Sequence, residues 1–193
     1  MSERADIYFS LDIEADGPIP GRYSMLAFGL AVAARFDGTT FEKRDPTAET
    51  FYRELQPISE EFDTAALEVS DLDRGLLVQL GAEPASAMTE AAAWIEHTAG
   101  HDRPVVVAFP ACYDWLFLYW YLVTYSDKGS PFGFSSCLDM KTMLQQRENV
   151  VMDKAGLNDL PPAVRASRPH THNALDDAVE QAEIFQHLWT WRR

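Results

Sequence analysis

Apolar and polar residues alternate at the start of the chain. Ile7, Phe9, Leu11 and Ile13 are apolar, and Tyr8, Ser10, Asp12 and Glu14 are polar. A period of two predicts a strand with one face on a core. It also places Asp12 and Glu14 on the same face, near the strand's end. The run Asp16-Gly17-Pro18-Ile19-Pro20-Gly21 is dense in breakers, so the chain turns there. A second apolar run, Met25 to Phe36, follows at once. Together they read as a hairpin with the two acids beside its loop. Further on, Arg103-Pro104 leads into Val105-Val106-Val107-Ala108-Phe109. That short, continuously apolar, β-branched run predicts a buried strand of an α/β sheet, ended by Pro110.

Helical periods fill much of the remainder. The stretch Phe62 to Gly100 predicts two or three helices. The clearest is Ala85 to Thr98, with Met88, Ala91, Ala92, Trp94 and Ile95 on one face and Pro84 suited to its start. Tyr113 to Tyr125 also reads as helical. Its aromatic residues Tyr113, Trp115, Phe117, Tyr119, Trp120, Tyr121 and Tyr125 go most of the way round. A helix of that kind is expected to be buried on all sides, in the core or at a subunit interface. Asn173 to Trp189 carries a clean stripe of Leu175, Ala178, Val179, Ala182, Phe185 and Leu188, and predicts a third long helix.

Chemistry-bearing residues fall in three separated places. Asp12 and Glu14 close the first strand. Two carboxylates about 6 Å apart repel by about 3 kcal/mol at an effective dielectric of about 20, so water or a cation must relieve them. Hard divalent cations favour such oxygens, although a solvated strand end has the same pattern. Asp114 stands near a helix N-terminus just beyond a strand. It suits a helix cap and equally the ligand crevice at the carboxyl ends of α/β strands. His172 immediately precedes the last helix, and Asp177 lies in its first turns, where an acid also suits the helix dipole. A histidine beside a carboxylate can accept a proton near neutral pH. His170 and His187 read as solvent-exposed side chains.

These three places in this order resemble the DEDDh 3′–5′ exonucleases of the ribonuclease H-like fold. The first motif is Asp12-Ile13-Glu14, the second Tyr113-Asp114, and the third runs from His172 to Asp177 within His-Asn-Ala-Leu-Asp-Asp-Ala. The resemblance spans residues 6–189 and is nearest to small stand-alone bacterial members of the ribonuclease T and oligoribonuclease kind. It implies an α/β fold with a ribonuclease H-like mixed five-stranded sheet flanked by helices. It implies two Mg²⁺ or Mn²⁺ ions, with Asp12 between them, Glu14 and Asp177 completing one site and Asp114 assisting the other. His172 would be the general base, and nucleoside 5′-monophosphates would leave the 3′ end of RNA, favoured over DNA. Phe109-Pro110 stands where many members have His-Asn. The leucine that many members wedge between terminal bases is missing after Glu14, which leaves Ala15, Asp16, Ile19, Met25 and Tyr113 as candidate substrate contacts. The same residues would also serve a phosphodiesterase of dinucleotides or other small nucleotides. A catalytically silent nucleic-acid-binding or scaffolding protein is the alternative from another class.

Composition narrows the picture. A chain of 193 residues is expected to form one domain, 1–193. No leader or membrane-spanning run is read from it, and Cys112 and Cys137 form no zinc pattern, which suits free thiols in the cytoplasm. With 16 Lys and Arg against 30 Asp and Glu, the formal charge is −14. That excludes the basic footprint of a DNA-coating protein. A field of this sign slows the approach of long polyanions, so short or single-stranded RNA or DNA 3′ ends are the expected partners. Arg22, Lys141, Arg147, Lys154, Arg165 and Arg168 are basic but scattered. The aromatic helix, too large for one core, predicts a homodimer.

Overall fold

Strand β1, Asp6–Ala15, lies at the centre of a mixed sheet. The computed structural model describes residues 4–70 and 72–192. β1 pairs antiparallel with β2, Met25–Phe36, and β2 pairs antiparallel with both β3, Phe41–Lys43, and β4, Thr50–Glu54. On its other side β1 runs parallel to β5, Arg103–Ala108, which runs parallel to β6, Cys137–Asp139. The sheet order is β3-β2-β1-β5-β6, with β4 beside the far half of β2, so the sheet has six strands rather than the expected five. The sixth is β4, whose sequence Thr-Phe-Tyr-Arg-Glu is too short and mixed to stand out before its partner is known.

The helices cover both faces. Between β4 and β5 come α1, Thr64–Ser70, α2, Arg74–Leu80, and α3, Pro84–Ala99. After β5 comes α4, Ala111–Tyr125. α5, Met140–Glu148, and α6, Ala174–Thr190, complete the chain. Ile7, Phe9, Leu11 and Ile13 pack with Met88 and Ile95 of α3 and Phe117 and Tyr121 of α4. Tyr8, Ala31, Ala33 and Val107 pack on the opposite side with Ala178, Val179, Phe185 and Leu188 of α6. Tyr8 and Ser10, the polar phase of the alternation, are therefore buried as well. One solvated face was expected of β1. Its central position and the α6 cover bury both.

The aromatic helix α4, expected in the core or at a subunit interface, divides into two sides. One side of it is buried, through Ala111, Asp114, Phe117, Leu118, Tyr121 and Leu122. The other side stays open: Leu116 is 45% and Val123 54% exposed, and the half-buried Trp115, Tyr119 and Trp120 flank them around an apolar groove of about 460 Å³. No described helix is long and apolar enough to cross a membrane.

Two features aim the sheet's end at a site. β1 outruns its parallel neighbour, since pairing with β5 ends at Ser10 opposite Val107. Asp12 and Glu14 thus lie past the carboxyl end of β5, where α/β sheets collect ligands. Gly29 stands opposite Asp12 on β2. A Cβ there would lie 2.3 Å from the Ala174 carbonyl oxygen and 2.6 Å from Leu175 Cα. Only a bare backbone at this position lets the first turn of α6 lie on the sheet.

Candidate active site

Asp12, Glu14, Tyr113, Asp114, His172, Asp177 and Gln181 line one hollow of about 310 Å³. β1 supplies the first two acids, the first turn of α4 supplies Tyr113 and Asp114, and α6 with the two residues before it supplies His172, Asp177 and Gln181. One oxygen from each of Asp12, Glu14 and Asp177 lies within 4.8 Å of the others. Asp114 is buried behind them and accepts a hydrogen bond from Ile13 N at 3.1 Å, which ties α4 to β1 between the two strand acids.

The electrostatics follow from burial and crowding. Burial raises Asp12 well above the ordinary carboxylate range, and Asp114, Glu14 and Asp177 add to the shift. Glu14 is pushed up to about 8, by burial first and then by Asp177 and Asp114. Burial pushes Asp114 up to about 7, against the relief from Ile13 N–H. No Lys or Arg is among the residues lining the hollow. Four carboxyls that repel one another, with no cationic side chain between them, form a donor set that fits hard divalent cations.

Asp177 also organises the approach to α6. Its Oδ1 accepts from Thr171 N at 2.8 Å and its Oδ2 from His172 N at 2.7 Å. His172 takes φ 59°, the left-handed region that L residues rarely adopt. The turn is held because both N–H groups end on one buried carboxylate. Asn173 caps α6 by accepting from Leu175 N and Asp176 N. The His172 ring is left at the rim of the hollow, exposed.

Of the candidate substrate contacts, Ala15 and Tyr113 line the hollow, and Tyr113 Oη donates to the Gly17 carbonyl at 3.0 Å. The other three do not line it. Met25 is fully buried in the core, and Ile19 is 48% exposed on the hairpin loop. Asp16 is fully buried and occupied: it accepts from Ser24 N at 2.5 Å and pairs with Arg74 at 2.9 Å. Its role is to fasten the start of α2 to the end of β1. Apolar walls come instead from Ala66 and Val69 of α1, from Phe109-Pro110 and from Leu157.

Three further polar residues correct or extend the sequence reading. His170 is exposed, as expected, but it also meets the acids: its Nδ1 lies 2.9 Å from Glu180 Oε2 and 3.3 Å from Asp177 Oδ2, and its ring meets His172 edge-on at 4.7 Å. His187, read the same way, is half-buried with Nδ1 3.1 Å from the Arg165 carbonyl. Gln181 was missed. Its Nε2 donates to Asp12 Oδ1 at 2.7 Å and its Oε1 accepts from Phe109 N at 2.7 Å. The i, i+4 spacing from Asp177 could have pointed to Gln181, because it places both on one helix face. Nothing comparable marks His170, which lies outside the helix.

Residues 9–189 match the 3′–5′ exoribonuclease Rv2179c-like domain family. The chain belongs to that family. Its fold is that of the DEDDh exonucleases, and the family is one of 3′–5′ exonucleases. The Escherichia coli protein "3′-5′ DNA exonuclease Cap18" is 36% identical over 187 residues, covering 96% of this chain and 93% of the relative. Among solved structures, the nuclease domain of 3′hExo, a DEDDh family member bound to rAMP, superposes with a TM-score of 0.67 at 11% identity, covering 96% of this chain and 91% of that one. Cell-death related nuclease 4 superposes with a TM-score of 0.64 at 12% identity. The match covers 97% of this chain, which spans 64% of that nuclease. Identities this low carry the fold and nothing finer.

Proposed function

We propose that residues 1–193 act as one exonuclease domain. It removes nucleoside 5′-monophosphates from the 3′ end of single-stranded or short nucleic acid, using two Mg²⁺ or Mn²⁺ ions. The observation that supports this most is the close trio of Asp12, Glu14 and Asp177 oxygens in a hollow with no lining Lys or Arg. In this reading Asp12, Glu14, Asp177 and Asp114 hold the cations. Bound there, divalent cations offset the charge of the phosphodiester and lower the barrier to an in-line attack by water. Gln181 keeps Asp12 turned into the hollow. His172 accepts a proton from the attacking water at a ring nitrogen. The new bond joins that water oxygen to phosphorus, the bond from phosphorus to the 3′ oxygen breaks, and the electron pair leaves on that oxygen. Val69, Tyr113, Pro110 and Leu157 give the terminal nucleoside apolar walls.

The family description points to RNA and the name of the Escherichia coli relative to DNA. Both together support a site that accepts either sugar. The free thiols Cys112 and Cys137 suit the cytoplasm. The open apolar side of α4 supports a homodimer in which a second copy covers it. The test is a time course on 5′-labelled RNA and DNA single strands with Mn²⁺, Mg²⁺ or EDTA. A descending ladder that needs the metal is expected. A folded, metal-loaded protein that shortens neither strand would overturn the reading.

A further inference from the structure

A second hollow, of about 280 Å³, adjoins the first. Leu157 and His170 line both, so the two are immediate neighbours. The second is lined also by Arg165, Arg168, Pro169 and Glu180. In a chain of charge −14, cations beside an acidic site are notable, and most are occupied elsewhere. Arg22, Arg35, Arg44, Arg53, Arg74, Arg103 and Arg168 each pair with a carboxylate. Arg147 donates to the carbonyls of Trp189 and Trp191, and Arg4 to those of His101 and Asp102.

Arg165 differs. Among the described residues it has no carboxylate partner, and its one hydrogen bond is from Nε to the Leu160 carbonyl at 3.0 Å. Among the described residues no hydrogen bond occupies its two Nη groups. The segment that carries it is held in place. His187 Nδ1 lies 3.1 Å from the Arg165 carbonyl, and Glu183 accepts from Ser167 N and Oγ and from Arg168 Nε, each at 2.9 Å. Glu180, the carboxylate lining the hollow, is engaged by His170 Nδ1. A guanidinium fastened through Nε with both Nη groups free is shaped for two parallel bonds to a phosphate.

We propose that this second hollow binds a phosphodiester of the substrate strand on the 5′ side of the scissile one, with the Nη groups of Arg165 on its oxygens. The inference rests on the exonuclease reading and names what that reading leaves open: how an acidic protein grips a strand beyond its last nucleotide. The contact carries no base information, so it serves any sequence. It also predicts that substrates too short to reach Arg165 bind more weakly than those that reach it.

The test compares wild type, Arg165→Gln and Arg165→Lys. Binding of a labelled single-stranded decamer is read by fluorescence anisotropy with Ca²⁺ in place of the catalytic metal. Turnover is read on the decamer and on the nitrophenyl ester of thymidine 5′-monophosphate, which reaches only the first hollow. Arg165→Gln should weaken decamer binding about tenfold, the lower end expected for a charge-assisted contact. It should raise the ratio of decamer KM to ester KM by a similar factor and flatten the salt dependence of binding by about one unit of slope. Arg165→Lys should recover part of each. Equal decamer affinity and equal salt slope in Arg165→Gln and wild type would overturn the contact, as would an equal loss on decamer and ester. A wild type that binds the decamer through Arg165 but cuts nothing would sink the exonuclease reading and leave this contact standing.

Discussion

Gln181 Nε2 donates to Asp12 Oδ1 at 2.7 Å, and the other end of the same buried amide is held by Phe109 N. Both ends being used, the amide cannot flip without losing two bonds. Asp12 is therefore presented in one orientation, and the bond favours its charged form against burial and three neighbouring acids. Groups that orient a metal ligand in this way are typically worth about 10- to 100-fold in metal affinity or activity. Gln181→Leu should lose Mn²⁺ affinity within that range in a calorimetric titration. Unchanged affinity would show that Asp12 is positioned by the strand alone.

His172 is expected to serve chemistry and not cation binding. Its ring stands at the rim, and it is the backbone N–H that engages Asp177. His172→Ala should lose about 10²- to 10⁴-fold in rate, the usual range for removal of a general base. Its Mn²⁺ affinity should stay near that of wild type. The rival outcome is a large fall in affinity, since atoms of His170, His172 and Asp177 also lie within 4.8 Å of one another. That result would make His172 a ligand.

Metal-free stability should decrease with rising pH. Glu14 and Asp114 stand at about 8 and about 7 in the folded protein, while unfolded carboxyls titrate near 4. Folded pKa values raised in this way give stability that is full below about pH 4 and lost as pH rises through about 8. Asp37, Asp45, Asp102 and Glu183 are shifted the other way, and their effect falls at lower pH. The metal-free Tm should be higher at about pH 5.5 than at about pH 8, and saturating Mn²⁺ should restore it at the higher pH, because cations bind the ionised acids. Scanning fluorimetry in EDTA and in Mn²⁺ checks both statements. A metal-free Tm that rises steadily across this window would contradict the buried acid cluster.

Gly29→Ala should damage the site from the neighbouring strand, on the face that α6 covers. The added methyl would meet the backbone of Ala174 and Leu175, which cannot rotate away as a side chain could. Overpacking of this kind costs about 1–3 kcal/mol. The start of α6 would move, and Asp177 and Gln181 with it. Denaturant midpoint and Mn²⁺ affinity should fall together. A variant with reduced stability and wild-type Mn²⁺ affinity would mean that α6 does not set the cation site.

The open side of α4 should be covered by a second copy. Light scattering at micromolar concentration is expected to give twice the 21.8 kDa of one chain. Leu116→Glu, at the 45% exposed position in the middle of that side, should shift the mass towards one chain. A wild-type mass of one chain at that concentration would defeat the dimer.

Much of the site was legible because it is written in local patterns. The alternation in β1 put Asp12 and Glu14 on one face, and the 3.6-residue stripe of α6 located Asp177 and His172 at that helix's start. Periodicity reports which side of an element is wet, and it does so without knowing what packs on it. For the same reason it misjudged β1, whose polar phase is buried under α6, and it left open what covers the outer side of α4. The sequence by itself determined the kinds of elements, the acids and their order. Only the tertiary structure decided the sixth strand, the ties of Asp16 to Arg74 and Gln181 to Asp12, and the place of His170 beside Asp177. The first two join residues 58 and 169 positions apart through packing, and the third depends on the irregular turn that folds His170 back onto the start of α6; no periodic pattern encodes either.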